Sequence, residues 1–145
     1  MSQAEKSIEI NCTAEHFYNV LTDFEKQTEF MSDLLGVKLL KKEGETYTVK
    51  YKIKMIKEIE YTLEHKGTPN KNLVWKLIKG QFMKVNEGGW NIRELGPEKV
   101  LATYTITLKL SALVPSSVTT QLAQLGLPKM LKEFKDYAES TFKAA

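Results

Sequence analysis

Residues 46–55 read TYTVKYKIKM, and residues 58–65 read EIEYTLEH. In both stretches apolar or aromatic residues alternate with polar ones, and a period of two is typical of a strand with one buried and one solvated face. Antiparallel pairing would place a row of lysines beside a row of glutamates on the solvated face. Such cross-strand pairs contribute on the order of 0.2–1 kcal/mol each and fix which face is outside.

The flanking sequence extends this hairpin into a larger sheet. Gly67 and Pro69 predict the next turn, and Gly80 ends the strand that follows it. Gly88 and Gly89 interrupt a later strand and predict a β-bulge or a sharp bend. The predicted strands cover residues 7–11, 37–44, 46–55, 58–65, 73–79, 82–95 and 102–110.

Two short helices are predicted near the N-terminus. Residues 14–22 carry apolar side chains at helical spacing, and Thr13 can cap the first turn. Asp23 is in position to cap a second short helix that carries Phe30 and Leu34.

A long helix is predicted at the C-terminus, where apolar residues beyond Pro115 recur with a helical period. Pro128 lies inside this pattern. Together with Gly126 it predicts either a kink in one long helix or a break between two helices, and the single kinked helix is the favoured interpretation.

The totals favour one domain spanning residues 1–145, with a formal net charge of +3. This charge does not argue for nucleic acid as a partner. Lysines 50, 52 and 54 are read as part of a solvated sheet face, since the interleaved aromatic residues point the other way. Cys12 is the only cysteine, so no internal disulfide can form, which favours a reducing compartment such as the cytoplasm. The sequence shows no secretory signal and no apolar run of about 20 residues.

The polar residues suggest little chemistry of their own. His16 and His65 are far apart and no Cys/His/Asp spacing fits a tetrahedral site, so neither a metal nor another cofactor is expected. His16 is expected on the exposed first helix, and Cys12 is interpreted as a small buried residue. By parity His65 shares the inward face with Tyr61, where it could transfer a proton or hydrogen-bond to a ligand. The preferred interpretation places His65 half-exposed at the end of its strand.

Aromatic side chains fall repeatedly on the inward face of the predicted sheet. Their rings supply apolar surface, and their OH and NH groups need partners when buried. Several such groups on one face predict either a ligand pocket with a few orienting donors or a solid core. The apolar stripe of the C-terminal helix would close such a pocket, and no catalytic residue is assigned. The predicted ligand-binding residues are Tyr51, Tyr61, His65, Trp75, Trp90, Tyr104, Met130 and Phe134.

Four stretches carry a family resemblance: IEINCTAE at residues 8–15, VLTDF at 20–24, GGWNI at 88–92, and Val114-Pro115 followed by GLPKML at 126–131. They resemble the START-like, or Bet v 1-like (SRPBCC), superfamily, and within it the polyketide cyclase/dehydrase and coenzyme Q-binding group. The resemblance implies an α+β helix-grip fold. In that fold a curved antiparallel sheet of about seven strands, with two short helices, holds a long C-terminal helix.

The resemblance also implies a function. We expect non-catalytic binding or transport of a hydrophobic small molecule, such as a lipid, quinone or polyketide-like aromatic, between the sheet and the C-terminal helix. Two other functions stay open: a cyclase or dehydratase with Tyr61, His65 or Tyr104 as proton donor, and a ribosome-associated or toxin-like regulator. The apolar turn at residues 55–58 adds the expectation of a transient membrane contact through Ile56. The sequence leaves the oligomeric state open.

Overall fold

The computed structural model describes residues 2–54, 58–115, 117 and 127–143. Over these ranges seven antiparallel strands form one sheet, in the order β1-β7-β6-β5-β4-β3-β2. The predicted α+β helix-grip architecture is confirmed. The strands are β1 (Ser2–Ile10), β2 (Leu34–Glu43), β3 (Thr46–Lys54), β4 (Glu58–Thr68), β5 (Asn72–Gly80), β6 (Met83–Gly96) and β7 (Lys99–Leu110). The helices are α1 (Ala14–Thr22), a 3₁₀ helix (Phe24–Glu29) and α2 (Leu127–Thr141).

Strands β3 and β4 pair in the register that their alternating sequences predict, with Tyr51 opposite Tyr61 on the inward face. On the outer face, the lysine row lies beside the glutamate row. The ion pairs there are Lys50–Glu60 at 2.8 Å and Lys52–Glu58 at 3.1 Å. Because these side chains are about half exposed, each pair is worth at most about 1 kcal/mol. Their main consequence is that the aromatic residues of both strands face inward.

Of the two alternatives predicted at Gly88 and Gly89, a β-bulge or a sharp bend, the bulge is absent, because β6 and β7 stay in continuous register across both residues. A Cβ on Gly88 would overlap the carbonyl oxygen of Thr105 in β7, and one on Gly89 would lie 2.9 Å from Val74 Cγ1 in β5. Glycine is therefore required for the close approach of three strands. The paired register of β5 and β6 ends here, at Trp75 and Gly88.

The first helix has the predicted bounds, and the Thr13 side chain accepts a hydrogen bond from the His16 backbone N–H at 3.1 Å. The second helix differs from the prediction. It is a 3₁₀ helix without a side-chain cap from Asp23, and it buries Phe24 and Gln27. Residues three apart lie on one face of a 3₁₀ helix, which explains why Phe24 and Gln27 are buried together. Leu34 belongs to β2 instead of this helix.

Helix α2 buries one stripe against the sheet, and its members are Leu127, Leu131, Phe134 and Ala138. Spacings of four, three and four residues keep them on one face of an α-helix. Pro128 lies in the first turn, where a missing N–H breaks no helical hydrogen bond. The predicted kink involves residues 118–126, which lie outside the described ranges.

Candidate functional site

The apolar core of the described chain consists of two clusters on the inward side of the sheet. The larger lies beneath α1 and α2, and the smaller is built on Ile59, Met83 and Leu110. Tyr61 and Leu77 are partly buried and border both clusters. Ile106 faces the same side and is half-buried. Among the described residues, Tyr61 and Leu77 therefore connect the two clusters.

Two phenols on the inward face pack against the larger cluster, Tyr61 from β4 and Tyr104 from β7. Both side chains are half-buried and keep accessible surface, although burial raises the pKa of each phenol and Tyr61 raises that of Tyr104 further. Within the described ranges, neither hydroxyl has a hydrogen-bond partner.

Tyr51 and His65 form a buried pair beside these phenols. The Tyr51 hydroxyl lies 2.7 Å from His65 Nε2, and the Tyr51 ring stacks on Tyr61 with centroids 5.2 Å apart. His65 is only 5% exposed. The expectation that it is half-exposed at a strand end is therefore wrong, because β4 continues to Thr68 and places His65 inside the strand.

Burial lowers the pKa of His65 to about 3, so the imidazole is neutral at physiological pH. A neutral imidazole carries one N–H. If Nδ1 carries the proton, Nε2 accepts from Tyr51; if Nε2 carries it, Tyr51 accepts and its own O–H is free to donate elsewhere. Nδ1 is buried without a partner in the described chain, and an orphaned N–H costs more than an orphaned lone pair. The second tautomer therefore fits better.

Trp75 and Asn86 form a second polar pair, where β5 and β6 cease to pair. The Trp75 indole donates to Asn86 Oδ1 at 3.0 Å, and Asn86 Nδ2 donates to Met83 Sδ at 3.6 Å. Asn86 is buried but was not among the residues predicted from sequence. The sequence could have indicated it, because alternate residues along β6 share a face and Asn86 lies four residues before the inward-facing Trp90.

The remaining predicted residues belong to the larger cluster. Trp90 is buried, and its ring centroid lies 5.4 Å from Phe17 of α1, 5.2 Å from Phe134 of α2 and 5.0 Å from Tyr104. Phe134 is buried and Met130, one turn earlier on α2, is half-buried. Ring contacts thus connect Phe134 through Trp90 and Tyr104 to Trp75, whose centroid lies 5.3 Å from Tyr104.

His16 and Cys12, the other two residues considered as sites from the sequence, both pack within the structure. His16 is not on an open helix face; its Nε2 lies 3.0 Å from both the Ala138 carbonyl oxygen and Thr141 Oγ1 at the end of α2. Cys12 is fully buried, as predicted, and burial raises the pKa of its thiol to about 11. Among the described residues, no cluster of three or more His, Cys, Asp or Glu could hold a metal ion.

The predicted membrane-contacting turn with Ile56 lies outside the described ranges. Within them, no helix has both the length and the hydrophobicity needed to cross a bilayer.

Residues 10–135 match the protein family described as polyketide cyclase/dehydrase and lipid transport. This match covers most of the chain, which therefore belongs to that family, as the sequence resemblance predicted. The sequence matches no curated protein.

Several solved structures share the fold at low sequence identity. A START superfamily protein from Mycobacterium smegmatis is 17% identical, with a TM-score of 0.84 over 95% of this chain and 97% of that one. A protein from Thermus thermophilus is 16% identical, with a TM-score of 0.86 over 98% and 100%. The Zhui aromatase/cyclase from a Streptomyces species is 14% identical, with a TM-score of 0.86 over 99% and 96%. At these identities the likeness concerns the fold alone.

Proposed function

We propose that this chain binds a hydrophobic small molecule, such as a lipid, a quinone or a polyketide-like aromatic, between the sheet and α2 without transforming it. The observation that carries the proposal is the pair of half-buried phenols, Tyr61 and Tyr104, on an inward face otherwise lined by apolar and aromatic side chains. Among the described residues, neither hydroxyl has a hydrogen-bond partner. Apolar walls with a few polar groups are typical of small-molecule sites. The family to which the chain belongs includes lipid transport proteins by its description.

The electrostatics of the site support binding over proton transfer. An efficient acid or base has a pKa near the working pH. Burial instead raises the pKa of Tyr51, Tyr61 and Tyr104 and lowers that of His65 to about 3. All four groups are therefore neutral at physiological pH, and each resists a change of protonation. They can still donate or accept hydrogen bonds.

A cyclase or dehydratase is the second candidate, and the 2.7 Å Tyr51–His65 contact is the observation that favours it. In such an enzyme Tyr61 or Tyr104 would protonate a substrate oxygen. The Zhui structure, described as an aromatase/cyclase, shares the fold. The described contacts favour no regulatory role at a ribosome or toxin.

Native mass spectrometry of the purified protein, followed by extraction, tests the first proposal. We expect a non-covalent ligand that is released unchanged and that rebinds to the stripped protein. A released compound lighter than the bound one by a water molecule would instead support the dehydratase. If neither the purified protein nor the stripped protein holds any compound from a panel of lipids, quinones and aromatic polyketides, the binding proposal is wrong.

A matched pair of variants on β7 locates the site. Ile106→Glu puts a charge on the inward face, whereas Thr107→Glu puts the same charge on the opposite face of the strand. We expect the first variant to lose the ligand and the second to keep it, at similar melting temperatures. If Ile106→Glu does not fold, Ile106→Trp serves instead, because its larger ring would occupy the volume proposed for the ligand. Retention of ligand by every folded Ile106 variant would contradict this location.

A further inference from the structure

The loop that follows β7 carries a run of four apolar residues, ALVP at 112–115. Ala112, Leu113 and Pro115 are exposed, and Val114 is half-buried. Leu113 is 81% exposed, whereas the next most exposed large apolar side chain of the described ranges, Ile78, is 49% exposed. Single apolar residues are common on protein surfaces, but an exposed run of them is unusual unless it contacts a partner.

The backbone on both sides of Leu113 is held in place. The Ser111 backbone N–H donates to the Phe82 carbonyl oxygen at 2.8 Å, and the Val114 N–H donates to the Ser111 carbonyl oxygen at 3.0 Å. Val114 also packs against the smaller core cluster. Phe82 has a φ of 55°, which is unfavourable for a bulky residue and persists only where contacts fix the turn. The fold therefore presents Leu113 outward from an anchored loop.

Three lysines lie at the same end of the sheet as this loop. Strands β5 and β7 end there and β6 begins there, since Met83 pairs with Leu110. Lys79, Lys84 and Lys109 lie at these strand ends, and all three are exposed. Within the described part of the chain, none of them has an ion-pair partner. The loop is thus bordered by positive charge.

The acidic residues of the neighbouring strands do not cancel this charge. Strands β5 and β7 contain no acidic residue, and of the two in β6, Glu94 lies at the far end, opposite Val100. Glu87 is therefore the one carboxylate of these three strands near the lysines. On β4, Glu58 and Glu60 are already paired with lysines of β3.

The combination of free lysines with an exposed leucine distinguishes between possible partners. The phosphate backbone of a nucleic acid would attract the lysines but offers no apolar surface to Leu113. A bilayer with anionic lipids offers phosphate headgroups to the lysines and, beneath them, an acyl layer to the leucine.

We propose that the tip surface, defined as residues 112–115 with Lys79, Lys84 and Lys109, docks on a bilayer that contains anionic lipids, with Leu113 inserted below the headgroups. The inference is independent of the ligand proposed above. Each lysine near an anionic surface strengthens binding about 5-fold, and burial of one leucine strengthens it about 10-fold or more. Binding of this strength is reversible, as it is for a single acyl chain.

Co-sedimentation of the purified protein with vesicles tests the proposal. Vesicles of phosphatidylglycerol and phosphatidylcholine should bind the protein, and vesicles of phosphatidylcholine alone should bind it more weakly. Binding to the anionic vesicles should decrease as salt is raised. Leu113→Ser should weaken it about 10-fold, and Lys84→Gln about 5-fold.

Matched controls lie at the opposite end of the sheet. Leu95 is 43% exposed near the end of β6, and Lys71 is an exposed lysine before β5 without an ion-pair partner among the described residues. Leu95→Ser and Lys71→Gln should leave vesicle binding unchanged. Because Leu113 and Lys84 are exposed too, all four variants should keep the wild-type melting temperature.

A dye at residue 113 reports insertion without relying on a loss of binding. Cys12 is fully buried, so Leu113→Cys introduces a thiol that can be labelled selectively in the folded protein. An environment-sensitive fluorophore at this position should shift its emission to shorter wavelength when anionic vesicles are added. The same dye on Leu95→Cys should show no shift.

Three results would overturn the proposal. In the first, the wild-type protein does not sediment with anionic vesicles. In the second, Lys84→Gln weakens sedimentation while Leu113→Ser does not, and duplex DNA competes with the vesicles, which would identify a general polyanion site. In the third, the protein sediments but the dye at residue 113 keeps its emission. A failure of the ligand panel would not affect any of these measurements.

Discussion

Replacing Gly67 with alanine is expected to destabilise the protein through a side chain that is distant in sequence. Gly67 lies within β4, beneath the phenol of Tyr18 from α1. A Cβ at this position would overlap the Tyr18 hydroxyl oxygen and lie 3.0 Å from Cζ. The same hydroxyl donates a 2.7 Å hydrogen bond to Glu45 Oε1. The ring therefore cannot move aside without losing that bond.

The size of the loss follows from these contacts. Overpacking a filled site costs about 1–3 kcal/mol, and a hydrogen bond to a charged group contributes about 1.5–3 kcal/mol. Part of this loss is offset, because alanine loses less backbone entropy on folding than glycine, which adds about 0.5–1 kcal/mol to the free energy of unfolding. We therefore expect Gly67→Ala to lower the free energy of unfolding by about 1.5–5.5 kcal/mol, summed from these terms.

A double-mutant cycle isolates the cause. Tyr18→Phe removes the atom that the new Cβ overlaps, so Gly67→Ala should cost at least about 1 kcal/mol less in that background than in the wild type. Urea unfolding followed by tryptophan fluorescence and circular dichroism measures all four proteins. Gly96→Ala is the control, because a Cβ there meets no atom within 4 Å. Additive losses, or a Gly67→Ala loss as small as that of Gly96→Ala, would refute the reasoning.

Three further predictions follow from buried groups. Phe134→Ala should lower the free energy of unfolding by about 3–5 kcal/mol, since Phe134 is 3% exposed and its ring lies against Phe30 and Trp90; a loss below about 1 kcal/mol in urea unfolding would mean that α2 does not pack there. Cys12 should react with a thiol reagent only as the protein unfolds, because its thiol is buried and burial raises its pKa to about 11; rapid labelling in native buffer would contradict this. His65 binds a proton more readily in the unfolded chain, since burial lowers its pKa in the fold to about 3, so stability should fall by up to about 1.4 kcal/mol per pH unit below the ordinary histidine pKa. Unfolding of wild type and His65→Gln between neutral pH and the carboxylate range measures this slope, and equal slopes would count against a neutral buried His65.

The parts of the fold that depend on local sequence were predictable. The alternation in β3 and β4 fixes their inward faces, and the cap at Thr13 fixes the start of α1. The errors lie where distant contacts decide. Gly67 reads as a turn residue because glycine is common in turns, but it is a strand residue that makes room for Tyr18, which is remote in sequence. Gly88 likewise predicts a bulge or a sharp bend from sequence alone, although the contact that requires glycine there is with the Thr105 carbonyl oxygen on the neighbouring strand.

The candidate site was predictable in composition and less so in arrangement. Because inward and outward positions alternate along a strand, the sequence assigns Tyr51, Tyr61 and Tyr104 to the inward face, and the strand register agrees with this assignment. The alternation does not show how deeply each side chain is buried. The burial of His65 depends on how far β4 continues beyond it. The surroundings of Trp90 depend on α1 and α2, which pack over that part of the sheet.

The protonation states of the site follow from one physical cause. Burial disfavours the charged form of any group, so it raises the pKa of a phenol and lowers that of an imidazole. Tyr51, Tyr61, Tyr104 and His65 are shifted in these opposite directions, and all four are consequently held neutral. An acid–base enzyme needs a neighbouring charge that brings at least one such pKa back towards the working pH. Among the described residues no charged group contributes to the pKa shifts of these four side chains. Neutral, buried groups of this kind can hold a ligand through hydrogen bonds, and they agree better with the proposed binding function than with the cyclase alternative.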